Sequence, residues 1–239
     1  MKNLGKWIGS LFRAAWAHFA GQPHQQPTHC GNINALLLHL CDFDYELHGW
    51  VLQWLAYPLR NPGAKMERGL IVNGGEGTGK TLFFEHVIAS LYGDAARHIG
   101  ERRLASVFSP WMPAARYVVV EGILSRRCVP TLKYLVSSQF VTIEQKGKEP
   151  YTVENEMNFV FLSGSDNFLP PSLNERRFVV IEAPPKREPR FYRAVADEIN
   201  NGGVDVFRDY LVHHLDMDGF HQYTKPPASA RFGGLREAA

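Results

Sequence analysis

Residues 74–81, Gly-Gly-Glu-Gly-Thr-Gly-Lys-Thr, match the pattern G-x-x-x-x-G-K-[ST] at every fixed position. Each residue type has a job in holding a triphosphate. Glycines let successive backbone N–H groups turn inward around anionic oxygens, the lysine neutralises the β- and γ-oxygens, and the closing hydroxyl holds Mg²⁺. The apolar run GLIV precedes the pattern and LFF follows it, so a strand leads in and a helix leads out, with its anion-favouring N-terminus at the loop. Gly74, Gly75, Glu76, Gly77, Thr78, Gly79, Lys80 and Thr81 are therefore the expected ATP-binding residues, with Thr81 also a Mg²⁺ ligand. The alternative is a glycine-rich turn without a ligand.

Cleaving the triphosphate also requires an acid at the end of a neighbouring strand. RYVVVEG (116–122) supplies such a strand and one acid, Glu121, lying 41 residues beyond Lys80. That interval leaves room for a helix, a strand and a return. The usual arrangement is four apolar residues followed by two acids, but here Gly122 follows Glu121. If Glu121 faces the metal, the acid that activates water is missing. If Glu121 is the base, Val120 faces the metal. Either way hydrolysis is weakened or differently built, and an exposed Glu that merely ends a strand is the plain alternative.

The rest of the chain must position these groups. With 239 residues, 45% hydrophobic and 21% charged, it has ordinary globular composition and enough length for one substantial domain plus extensions. A net charge of +2 is too small to indicate nucleic-acid binding, so any such claim rests on local charge. Cys30, Cys41 and Cys128 show no metal-ligand spacing and read as reduced thiols, in keeping with the cytoplasm. Leu4, Trp7, Ile8, Leu11, Phe12, Ala15, Trp16 and Phe19 recur at helical spacing, giving an amphipathic helix over 1–20. Arg13 interrupts it, which argues against a signal peptide, and no apolar run is long enough to span a bilayer. No stable membrane association is expected.

A polar, proline-bearing linker follows at 21–32, then a helical lead-in at 33–66, with helical spacing from Ile33 to Tyr57. Strands and helices alternate through 67–185, and helices around Asn201-Gly202-Gly203 dominate 186–239. The expected strands begin near 69, 117, 158 and 177, with two short ones around KGKEP. This alternation predicts an α/β core with a mostly parallel sheet.

In this order the elements over residues 40–235 resemble superfamily 3 helicases, most closely the ATPase domain of phage, plasmid and satellite primase–helicases. The stretches that carry the resemblance are the lead-in CDFDYELHGWVLQWLAYPLRNPGAK, the phosphate loop, and TLKYLVSSQFVTIEQKGKEPYTVENEMNFVFLSGSDNFLPPSLNERRFVVIEAP. The resemblance implies an AAA+-like P-loop NTPase core with a helical N-terminal lead-in and a small helical C-terminal end. It further implies ATP and Mg²⁺ as cofactors, with Thr81 and Glu121 at the metal and Lys80 at the phosphates. Partners would be single-stranded DNA, replication proteins and further copies in a hexameric ring, inside a bacterial host cell. Lys146 and Lys148, flanking Gly147 at a hairpin tip, would grip strand phosphates in the ring channel; a solvated basic turn is the alternative. Arg176 and Arg177 would put one guanidinium on the γ-phosphate of a neighbouring subunit; salt bridging within the chain is the alternative. The family's sensor strand generally ends Ser-Asn, whereas here Gly164 follows Ser163 and the nearest Asn is Asn167. The phosphate grip is thus intact while two groups of the hydrolytic centre are altered. A small-molecule kinase is disfavoured because nothing resembles an acceptor-binding lid.

Overall fold

The computed structural model of the protein describes residues 29–106, 108–122, 125–164 and 176–232. The expected helix over 1–20 lies outside the described residues, as do Asn167 and all but the last four residues of the expected linker. In chain order the main elements begin with α1 (Gly31–Leu40), α2 (Tyr45–Arg60) and β1 (Gly69–Asn73). They continue with α3 (80–92), β2 (Ala96–Gly100), α4 (Glu101–Leu104), β3 (Tyr117–Glu121) and α5 (Val129–Ser137). The hairpin β4 (Phe140–Ile143) and β5 (Tyr151–Glu154) precedes β6 (Asn158–Ser163) and β7 (Phe178–Glu182). Last come α6 (Pro189–Glu198), α7 (Val204–Asp209) and β8 (Arg231–Phe232).

Five strands pair in parallel in the order β2-β3-β6-β1-β7, and β8 adds antiparallel to β7. The inner strands read as unbroken apolar runs because helices cover both faces. On one face Leu70, Val72, Val119, Leu162 and Ile181 pack against Phe83, Phe84, Val87 and Ile88 of α3, in one core with Leu36, Leu37, Trp54 and Leu55 of the lead-in. On the other, Ile71, Val118, Val120, Phe161 and Val180 meet Leu132, Leu135 and Val136 of α5.

Two departures from the sequence reading stand out. Strand β2 and helix α4 are additions: β2 is an edge strand in which Ile99 alone is buried, so it lacks the apolar run that marks its neighbours. The lead-in is two helices rather than one helical stretch. Asp42 and Phe43 take left-handed backbone angles (φ 52° and 59°), and Asp44 then caps α2 by accepting from the Glu46 and Leu47 amides.

The C-terminal helices are tied to the lead-in by one carboxylate. Glu198, at the end of α6, accepts from the amides of Ile33 at 2.6 Å and Asn32 at 3.2 Å, and lies 2.8 Å from the His29 ring. A buried acid on a helix N-terminus satisfies amides that have no partner within the helix. Among the described residues no helix is long and apolar enough to cross a membrane.

Candidate functional site

The phosphate loop leaves the C-terminal end of β1 and enters α3. Its first amide, Gly74 N–H, donates to Ser163 O of β6 at 3.1 Å, and Ala183 N–H donates to Asn73 O at 2.7 Å, so the loop is pinned from both sides. Gly74 and Gly79 are fixed by crowding. A Cβ on Gly74 would fall 2.8 Å from the Ala183 Cβ; one on Gly79, where φ is 97°, would fall 2.6 Å from Leu36 Cδ1 and 3.1 Å from Tyr192 Cε1. Helices α1 and α6 thus close on the loop to a depth that only glycine permits.

Lys80 is 9% exposed. Its ammonium donates to Gly74 O at 2.5 Å, Gly75 O at 2.9 Å and Thr78 Oγ1 at 3.1 Å. Thr78 in turn donates to Gly75 O at 3.0 Å. Burial pushes the Lys80 pKa down, and the carboxylates of Glu121 and Glu76 pull it back up. Gly75, Glu76 and Gly77 are exposed at the outer rim.

Glu121 ends β3 two strands away, across β6, in register with Leu162 and through it with Val72. Strand alternation puts it on the face of Tyr117 and Val119, which is the face covered by α3. Val120, 1% exposed, points into the opposite apolar layer.

Two further residues meet Glu121. Glu85 comes from α3, and His98 from β2. His98 Nε2 lies 3.2 Å from Glu85 Oε1 and 3.4 Å from Glu121 Oε2, and the donor atoms of all three lie within 4.8 Å of one another. Glu85 is mostly buried, with a side chain 17% exposed, and its Oε1 makes no hydrogen bond although the His98 ring nitrogen is 3.2 Å away. Burial raises the Glu85 pKa, His98 opposes that rise and Glu121 adds to it. Sequence reasoning missed both residues. Glu85 had a signal, since it follows Thr81 by four residues and so shares its side of the helix. His98 had none while β2 went unrecognised. The two carboxylates offer oxygen donors of the kind Mg²⁺ takes, and the Glu85 oxygen that makes no hydrogen bond fits such an ion.

The other expected residues lie elsewhere. Lys146 and Lys148 are exposed on the β4–β5 hairpin, in a turn closed by Lys148 N–H to Gln145 O at 3.1 Å, with Gly147 at φ 77°. Arg176 and Arg177 precede β7, at the opposite end of the sheet from the loop. Gly69 N–H donates to Arg177 O at 2.9 Å, so a whole strand of about 17 Å, at roughly 3.3 Å per residue, separates this point from Gly74. Both arginines line a cavity of about 530 Å³ with Lys65, Glu67, Glu154 and Tyr223. Ser163 and Gly164 end β6 beside the loop, and Asn73 sits opposite Ser163 with its Oδ1 buried and unpartnered.

A parallel sheet in this order, with a phosphate loop leaving its penultimate parallel strand, is the α/β fold of a P-loop NTPase with an AAA+-like core. Residues 72–177, spanning the loop, Glu121, the hairpin and both arginines, match the model of a family of unknown function (DUF5906). The fold is similar to the apo structure of the NrS-1 C-terminal region (305–718), with TM-score 0.65 and 21% identity over 82% of this chain and 50% of that one. An A form of the same region gives TM-score 0.63 at 21% identity, with the same coverage. Another A-form structure gives 0.64 at 23%, over 78% of this chain and 46% of that one. At these identities the likeness is one of fold, and the chain spans about half the length of the structures it matches. No curated protein matches it.

Proposed function

We propose that the chain is an ATP-dependent DNA helicase or translocase of superfamily 3 type. It works as a hexameric ring on single-stranded DNA, in the replication of a phage, plasmid or satellite element within a bacterial host. The proposal divides the chain into the N-terminal helix 1–20, linker 21–32, lead-in 33–66, ATPase core 67–185 and C-terminal region 186–239. The observation that carries it is the separation of charges along the strands, with the phosphate loop and Glu121 at their C-terminal ends and Arg176 and Arg177 at their N-terminal ends. Arginines a strand length away cannot reach the nucleotide of their own subunit, whereas a neighbour in a ring can present them to it.

In this reading the backbone of residues 74–79 and the Lys80 ammonium hold the phosphates, and Thr81 and Glu121 hold Mg²⁺. The ion, when bound, screens the β- and γ-oxygens. Lys146 and Lys148 contact the strand backbone, so movement of subunits about the shared nucleotide shifts the hairpins along the strand. The test is ATP hydrolysis measured against single-stranded DNA. Stimulation by DNA and loss in Lys80→Ala support the proposal; a rate that stays flat with DNA refutes it.

A second reading is favoured by Gly122 and Gly164, which stand where a helicase of this type carries an acid and an Asn. It makes the chain a scaffold, loader or interfering subunit that binds ATP and DNA but hardly hydrolyses. A Cβ on Gly164 would lie 3.5 Å from Gly74 O, an ordinary contact, so a side chain can begin there without its Cβ displacing the loop. Under this reading nucleotide drives assembly with negligible turnover, and Gly164→Asn raises the rate.

A further inference from the structure

The strand of Glu121 carries one acid where two are expected, yet a second carboxylate reaches the same corner from another element. Glu85 projects from α3, the helix that begins at the phosphate loop, and His98 Nε2 bridges it to Glu121 from the edge strand β2. Three observations set this apart from a chance meeting of acids. Glu85 shares its helix with Thr81 and follows it by one turn, so hydroxyl and carboxylate lie along one side. Its Oε1 is buried and makes no hydrogen bond, with the His98 ring nitrogen 3.2 Å away, and a cation would relieve a carboxylate oxygen in that state. Glu121 lies on the face of the sheet that α3 covers, so the half-exposed Glu121 and the mostly buried Glu85 approach each other at the rim of the helix–sheet seam.

We propose that Glu85 supplies the second carboxylate of the Mg²⁺ end of the nucleotide site, with His98 as a positioning residue that holds Glu85 and Glu121 together. The inference rests on the nucleotide-binding part of the function proposed above and not on turnover. The Mg²⁺ end then has a second acid. It draws that acid from the phosphate-loop helix rather than from the residue beside Glu121. His98 acts through the carboxylates: it carries no proton to the reaction and sets only their spacing.

The test uses the full chain and a fluorescent ATP analogue whose binding is titrated with MgCl2 and, in parallel, measured in EDTA. Glu85→Gln is expected to raise the Mg²⁺ concentration for half-maximal binding about tenfold while leaving metal-free affinity within twofold. Glu85→Asp should recover part of the shift. His98→Ala, at a half-exposed position that tolerates truncation, should move the midpoint the same way by a smaller factor. Thermal melts confirm that each variant is folded, and His98→Ala provides the reading if Glu85→Gln does not fold. An unmoved midpoint in Glu85→Gln, or equal weakening with and without Mg²⁺, overturns the assignment while the phosphate site stands. Absence of nucleotide binding by the wild-type chain overturns both.

Discussion

Among the described residues, buried Lys80 and half-buried Lys65 each give their ammonium to two backbone carbonyls. Lys80 takes Gly74 O and Gly75 O at the phosphate-loop edge of the sheet. Lys65 takes Leu135 O at 2.9 Å and Met157 O at 3.0 Å at the opposite edge, with its ammonium 5.8 Å from the centre of the Phe159 ring. Their electrostatic settings differ. Burial lowers both pKa values, but Glu121 and Glu76 oppose the fall at Lys80, whereas burial acts without such acids at Lys65 and brings it to about 7. At the proposed phosphate site, nearby carboxylates favour the charged lysine against the effect of burial. A lysine that tethers α5 to β6 needs no such support. In the proposed function the same residue type, with nearly the same hydrogen bonds, would serve binding at one end and architecture at the other.

The largest expected break in this contrast is Lys80→Ala. ATP affinity by calorimetry should fall by more than about 100-fold, two charge-assisted phosphate contacts at roughly 1.5–3 kcal/mol each. Lys65→Met should leave that affinity unchanged, and a comparable loss there would erase the distinction. The far-edge arginines sharpen it differently. Mutating Arg176 and Arg177 together to Ala should lower turnover by about a thousandfold, the order associated with a trans arginine, with ATP affinity unchanged. Mixing these subunits with Lys80→Ala subunits should restore some activity, because some seams then pair an intact loop with an intact arginine. No recovery in the mixture argues that the arginines act within their own chain.

Gly79→Ala should cost about 2–3 kcal/mol in denaturant unfolding, since its Cβ meets Leu36 and Tyr192 at a left-handed backbone position. At Lys65 the pH dependence follows from the sign of its shift. Its folded pKa of about 7 lies below the unfolded value, so the unfolded chain binds the extra proton between about pH 7 and pH 10. Stability should therefore rise with pH across that window, by at most about 1.4 kcal/mol per unit from this group. Lys65→Met should remove that slope. The smallest effect belongs to the hairpin. Lys146→Ala or Lys148→Ala should each reduce the salt dependence of single-strand affinity by about 0.7 in the log–log slope, leaving ATP binding in the absence of DNA untouched.

The central strands were legible because burial on both faces leaves a mark in composition: LIV, VVV and FVFL cannot sit anywhere else. The phosphate loop was legible because its chemistry needs fixed residue types at fixed spacing. Edge strand β2 was not, since Arg97 and His98 are partly or half exposed and carry no apolar pattern. The break between α1 and α2 was hidden because apolar spacing resumes in phase after Asp44, while the left-handed turn at Asp42 and Phe43 uses residues that seldom adopt it. In the candidate site, Glu121 was found from its strand, but its company was not. Glu85 and His98 reach it from two other elements, and contacts of that kind have no expression in local sequence. The far position of Arg176 and Arg177 was readable only once β7 had been set beside β1.

The Glu198 cap on the first turn of α1 bears on how the chain is born. Its bond to the Ile33 amide joins residues 165 positions apart, so a ribosome that has released the whole lead-in has not yet made the group that finishes it. Long-range closure of this kind delays folding. The lead-in must wait, partly exposed, until the C-terminal helices arrive, which makes the span between the two synthesis events the interval in which a chaperone would have most to cover.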